Sequence, residues 1–325
     1  MQAIGSAPGK IILLGEHFVV RGIPAISLSI NLRAWAEVKL VDVDPNNGGS
    51  VVLSDLLGET YKCVNGGWGT PYCRVLDTFG VMRGVEAKIF SRIPPEAGLG
   101  SSTATSLALA GAACVLCKGS LDTELVIKAS LEADRIFHGK PSGVDTMTSL
   151  LGGFILFRSI KNVERIGEGA PDLRIIVVDT GIPKKTSKAV MKVLSLYERR
   201  KHIMERVYEA AKALVEDAVN AIKHRDYVTL GELMLLNQGL LNTIGVSFPE
   251  AENIIATAMN TGALGAKITG AGLGGSVIVL AESNKISDIV ASIKEKHRIR
   301  NYYVVSPDPQ GLVVKTEKDG KRRLA

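Results

Sequence analysis

The chain predicts an α+β fold of two domains with a cleft between them. Strands and helices do not strictly alternate along it, hairpin turn signals crowd its first half, and 325 residues at 46% hydrophobic content exceed what one core usually serves. Segments 10–14 and 26–40 are rich in Ile, Leu and Val and are punctuated by Gly15 and Gly22-Ile23-Pro24, so both read as strands. Between 42 and 69, Asn46-Asn47-Gly48-Gly49 and Asn65-Gly66-Gly67 predict hairpins. Residues 85–91 alternate and form a strand that ends before Pro94-Pro95. A helix of small side chains follows at 102–118, suited to lying close against a sheet. Asp122 caps a helix that Gly139 stops, and on it Asp134 and His138 stand four apart on one face. A strand at 154–158 leads into the polar stretch Lys161 to Pro171, which marks a boundary between domains 1–165 and 166–325. Beyond it come a strand at 174–179, a long helical region at 186–224, helices at 227–242 and 249–261, strands at 266–269 and 276–281, a helix at 285–297, and strands near 302 and 312.

Charge narrows the function classes. Lys plus Arg number 39 against 33 Asp plus Glu, and part of the excess of +6 lies in Lys315, Lys318, Lys321, Arg322 and Arg323, read as a solvated basic tail. No basic stripe carries interleaved aromatics, so nucleic acid is not an expected partner, whereas a polyanionic small molecule is admitted. The first residues lack a secretory pattern and no run reaches the roughly 18 apolar residues of a membrane span, so a cytoplasmic protein without membrane contact is expected. Four cysteines are too few for a disulfide framework and are expected to be reduced. Cys114 and Cys117 spell C-x-x-C within an apolar helical stretch, which favours core packing over metal or redox chemistry.

The run Pro94-Pro95-Glu96-Ala97-Gly98-Leu99-Gly100-Ser101-Ser102-Thr103 places glycines and hydroxyls where a loop becomes a helix. Outward N–H groups and the positive dipole end at a helix N-terminus suit a polyphosphate, although no Gly-Lys-Ser/Thr closes the run and a plain turn would use the same residues. Two further motifs flank it in the chain, Pro8-Gly9-Lys10 to Gly15-Glu16-His17 and Lys267-Ile268-Thr269-Gly270-Ala271-Gly272-Leu273-Gly274-Gly275-Ser276. In this order the three resemble the GHMP family of small-molecule kinases. His138-Gly139-Lys140-Pro141-Ser142-Gly143-Val144-Asp145, Thr180 to Thr186 and Asn237-Gln238 are similar to that family's mevalonate kinase branch, so the resemblance spans about residues 6 to 281.

The resemblance implies a ribosomal-protein-S5-like N-terminal domain, a ferredoxin-like C-terminal α/β sandwich, and ATP with Mg²⁺ in the cleft between them. It implies phosphorylation of the C5 hydroxyl of mevalonate, with Asp145 as acid–base residue and Lys10 beside it. Ser91, Glu96, Ala97, Gly98, Leu99, Gly100, Ser101 and Ser102 are expected at the nucleotide, and Glu16, His17, Thr186, Gly270 and Ala271 at the substrate. Ser102 and Asp134 are the expected Mg²⁺ ligands. The branch commonly carries Glu where this chain has Asp134, one methylene shorter, so direct and water-mediated contact with the metal both stand open. A phosphorylated acceptor would call for further cations, for which Lys140, Lys184 and Lys185 are the candidates. A non-catalytic sensor on the same fold is a rival reading that the joint presence of Lys10 and Asp145 disfavours. The resemblance also admits a homodimer.

Overall fold

The computed structural model describes residues 1–41, 50–54, 59–63, 70–81, 84–139, 141–169, 173–318 and 321–324. The turn signals at 46–49 and 65–67 and the candidate cation Lys140 lie outside them. In chain order the elements of the first half are β1 (Gln2–Leu14), β2 (Ala25–Leu40), β3 (Ser50–Ser54), β4 (Glu59–Cys63), α1 (Pro71–Thr78), β5 (Val85–Ser91), α2 (Ser101–Lys118), α3 (Thr123–His138), α4 (Val144–Leu151), β6 (Phe154–Ser159) and β7 (Asn162–Gly167). The second half contributes β8 (Arg174–Asp179), α5 (Thr186–Arg199), α6 (Lys201–Lys223), α7 (Tyr227–Thr243), α8 (Pro249–Asn260), β9 (Gly265–Thr269), β10 (Ser276–Ala281), α9 (Ile286–Lys296), β11 (Asn301–Val305), β12 (Val313–Lys318) and β13 (Lys321–Leu324).

Two sheets organise these elements. The first runs β13-β12-β1-β2-β5-β3-β4, with β6 on β2 and β7 on β6; the second is β11-β8-β10-β9. The small-residue helix α2 is buried along nearly its whole length and lies against β1. Gly5 permits this approach, because a Cβ there would stand 2.0 Å from the Ala108 carbonyl oxygen. Asp122 caps α3 as expected, its carboxylate accepting from the Leu125 amide at 3.1 Å.

Several expectations are corrected. The stretch at 161–171 contains β7, which hairpins onto β6. The basic C-terminal residues are strand: β12 pairs with β1 from Gln2↔Glu317 to Ser6↔Val313, so the end of the chain returns to the first sheet and does not stay with residues 166–312. Arg33 locks that return, donating to the Ser6 and Gly311 carbonyls at 2.9 and 2.6 Å and pairing with Asp308 at 2.5 Å. The helical region at 186–224 breaks at Arg200, where α5 folds back so that Tyr197 meets the edge of Tyr208 at 5.4 Å and Arg21 lies 3.5 Å over the Tyr197 ring. Neither Gly nor Pro signals this break; side-chain packing sets it. Finally, Cys63 and Cys73 form a disulfide because α1 brings its first turn back to the end of β4. Cys114, buried in α2, and Cys117 are free.

Candidate active site

The loop before α2 is shaped by backbone conformations that favour glycine. Gly98 and Gly100 are left-handed, at φ 84° and 75°, and Gly100 is the N-cap of α2. The loop is pinned from both sheets: the Lys10 amide donates to the Leu99 carbonyl at 2.8 Å, and Ser276 Oγ donates to the Ala97 carbonyl at 2.8 Å. These bonds fix the direction of the N-terminal turn of α2, the end at which N–H groups favour an anion.

Lys10 and Asp145 meet at this turn. Lys10, on β1, is almost fully buried and its ammonium stands 3.0 Å from Asp145 Oδ1. A Cβ on Gly100 would touch the Lys10 stem at 3.0 Å, so the glycine leaves room for that side chain. Asp145 lies in the first turn of α4, a helix absent from the sequence reading, with left-handed Gly143 as N-cap. The Asp145 side chain keeps 34% of its exposure, open to a ligand in the cleft.

Asp134, on α3, is buried behind this pair. Its carboxylate accepts from Thr103 Oγ1 at 3.0 Å and from Thr146 Oγ1 at 3.2 Å. Burial, and then the charge of Asp145, pushes its carboxyl up to about 7, against the pull of the two hydroxyls and of Lys10. No cation forms an ion pair with this carboxylate among the described residues, and no group of three or more His, Cys, Asp or Glu there could cage a metal alone. A hard-oxygen donor set of this size fits Mg²⁺, which takes one or two carboxylates with substrate phosphates and water. Thr103 and Thr146, the hydroxyls on Asp134, were not singled out from the sequence; Thr103 is one residue past the Ser102 named there.

Glu16 and His17 were expected to line the substrate pocket, and the structure gives Glu16 another environment. It is 2% exposed, its carboxylate pairs with the Lys267 ammonium, and its second oxygen accepts from Asn237 Nδ2 at 3.2 Å. It joins β1 to β9 and α7 and faces the interior, because a buried carboxylate and a buried ammonium each require the other. His17 follows at φ 63°, a left-handed backbone uncommon outside glycine, with Nε2 2.8 Å from the Ala271 carbonyl. Burial pushes the His17 pKa down. Ala271 thus meets His17 through its backbone, while Gly270, at φ 82°, has open space where a Cβ would stand.

The remaining expected residues divide. Ala97 and Leu99 are buried and present their carbonyls to Ser276 and Lys10, and Glu96 is exposed, 3.7 Å from Arg300. Ser91 Oγ accepts from the Ile93 amide at 3.0 Å and lies 3.5 Å from Ser101 Oγ, so it shapes the strand-to-loop turn. Ser102 is half-buried in the first turn of α2, and Thr186 is exposed at the start of α5. A cavity of about 500 Å³ bordered by Leu173, Tyr227, Leu264 and Ala281 includes none of these residues.

Comparison with known proteins identifies the family of the chain. Residues 69–153 match the family model for the GHMP kinases N terminal domain, and residues 210–299 match the model for GHMP kinases C terminal. A mevalonate kinase of Aeropyrum pernix is 35% identical over 306 residues, covering 90% of this chain and 93% of its own. One from Archaeoglobus fulgidus is also 35% identical, over 91% of this chain and 99% of its own. The crystal structure of L. major mevalonate kinase in complex with R-mevalonate superposes with a TM-score of 0.83 at 28% identity, covering 94% of this chain and 95% of that one. With both halves matched and such relatives along nine-tenths of its length, the chain belongs to the GHMP kinase family, within its mevalonate kinases.

Proposed function

We propose that the chain transfers the γ-phosphoryl group of ATP to the C5 hydroxyl of (R)-mevalonate. The observation that carries this reading is the Lys10–Asp145 pair, 3.0 Å apart at the N-terminal turn of α2. The turn's N–H groups hold the nucleotide's phosphates, with Gly98 and Gly100 letting them approach the backbone. Asp145 accepts the hydroxyl proton as the C5 oxygen bonds to the γ-phosphorus and the bond from that phosphorus to the β,γ-bridging oxygen breaks. Lys10 orients Asp145 and offsets negative charge on the transferring group. Asp134 and Ser102 would hold Mg²⁺, which when bound neutralises phosphate charge. His17, held by Ala271, and Gly270 border the acceptor.

A coupled ADP-release assay across mevalonate, phosphomevalonate, homoserine and galactose tests the reading. Turnover with mevalonate alone is the expected outcome. Preference for phosphomevalonate would move the acceptor assignment to a phosphorylated substrate, and no turnover with any of the four would favour a sensor.

A further inference from the structure

Lys184 lies on the loop between β8 and α5 and threads between two glycines of different motifs. A Cβ on Gly275 would stand 2.6 Å from Lys184 Cε, and one on Gly98 would stand 1.9 Å from Lys184 Nζ. The C-terminal half therefore inserts an ammonium into the glycine loop, over a residue that has no side chain to obstruct it. The loop that carries it is held firmly. Thr180 Oγ1 donates to the Gly275 carbonyl at 2.6 Å, and the Gly275 amide donates to the Ile182 carbonyl at 2.9 Å.

The ammonium has no counter-ion of its own. Among the described residues no carboxylate lies within 4.0 Å of it, and the acids that face it have other partners. Asp145 holds Lys10 at 3.0 Å, Asp179 accepts from Arg300 Nε at 2.8 Å and from the Gly181 amide at 3.0 Å, and Glu96 faces Arg300 at 3.7 Å. Lys10 adds like charge. Burial, followed by Lys10, pushes the Lys184 pKa down to about 8, while Asp145, Asp179 and Glu96 raise it. An unpaired ammonium at the mouth of an anion-binding turn is an incomplete pair, and a nucleotide's terminal phosphate has the charge and size to complete it.

We infer that Lys184 is a further catalytic residue, contacting the terminal phosphate of the bound nucleotide at the Gly98 end of the turn. The inference rests on the kinase reading above. It assigns Lys184 to phosphoryl transfer and not to binding of the acceptor. During transfer the ammonium follows the charge that gathers on the oxygens around the γ-phosphorus, and it exchanges no proton.

Lys184→Met and Lys184→Arg test this, with initial rates varied in ATP and in mevalonate and with calorimetric affinities for ADP and a non-hydrolysable ATP analogue. Lys184→Met is expected to lower kcat by about 10²- to 10³-fold, in line with loss of one charge-stabilising donor. It should weaken the ATP analogue at least about tenfold relative to ADP and leave the KM for mevalonate within about threefold, with Lys184→Arg restoring part of kcat. Without nucleotide, Lys184→Met should melt no lower than the parent, since it removes an unpaired, half-buried charge. A loss confined to the KM for mevalonate, or an unchanged ratio of the two nucleotide affinities, would overturn the inference. If the parent turns over none of the acceptors, the kinase reading and the catalytic role have failed, and the nucleotide-affinity ratio still decides whether Lys184 contacts the terminal phosphate.

Discussion

Glu16, on the turn after β1, and Lys267, on β9, form an ion pair that solvent does not reach, with the Lys267 ammonium also donating to the Ile268 carbonyl at 2.6 Å. The pair fastens the two sheets at the place where His17 and the Gly270 loop meet. Removing one partner leaves an uncompensated buried charge, so Lys267→Met alone should cost about 3–5 kcal/mol. The double variant Glu16→Gln/Lys267→Met should recover most of that loss in urea denaturation. A double variant no more stable than the single one would mean that packing, not charge, holds this joint.

Asp145→Asn should lower kcat by about 10²- to 10⁴-fold while nucleotide affinity stays near that of the parent, since it removes the proton acceptor and keeps the shape. Lys10→Met should also lower kcat. Near-normal turnover of Asp145→Asn in the coupled assay would remove the acid–base assignment.

Asp134 gives a prediction with opposite signs for stability and activity. Its carboxyl, raised to about 7 from the usual 3.8, binds a proton more tightly in the folded protein, so its contribution to stability falls as pH rises through that window. At pH 8 without metal, Asp134→Asn should therefore melt at or above the parent temperature. The same variant should need much more Mg²⁺ for half-maximal rate. An unchanged Mg²⁺ titration would place the metal elsewhere.

His17 sets an acid limit. Burial lowers its pKa below the usual 6.5, so the unfolded chain binds the proton more readily and stability is lost as pH falls below about 6.5. Replacing His17 by Gln should flatten that part of the stability curve, measured by urea midpoints between pH 5 and 7. A curve as steep as the parent's would assign the acid loss to other groups.

The disulfide is open to a direct count. Under denaturing conditions without reductant, two of the four cysteines should react with a thiol reagent, and four after reduction. Cys63 and Cys73 are ten residues apart, so replacing both by Ala should cost about 2–3 kcal/mol. Four reactive thiols before reduction would exclude the bond in solution.

Legibility followed the range of the interactions. The cap of α3 by Asp122 and the glycine-rich passage from loop to helix at Gly98 to Ser101 are local, and residue type alone announced them. Helix α4 was missed because Pro141-Ser142-Gly143 reads as a turn, and only its packing among α2, β1 and β6 shows that the chain goes straight on into helix. Thr103 and Thr146 are common hydroxyls that become informative only once both point at Asp134.

By itself the sequence determined that α2 begins at a glycine-rich turn and that the chain is a kinase of the GHMP type, since motif residues and local backbone preferences are written in short stretches. Only the tertiary structure decided that Glu16 turns inward to Lys267, that β12 returns to β1, that Cys63 and Cys73 are bonded, and that Lys184 reaches Gly98. Each of these joins parts of the chain that packing brings together. A buried charge or a free edge strand states what it needs, and the fold determines which distant residue supplies it.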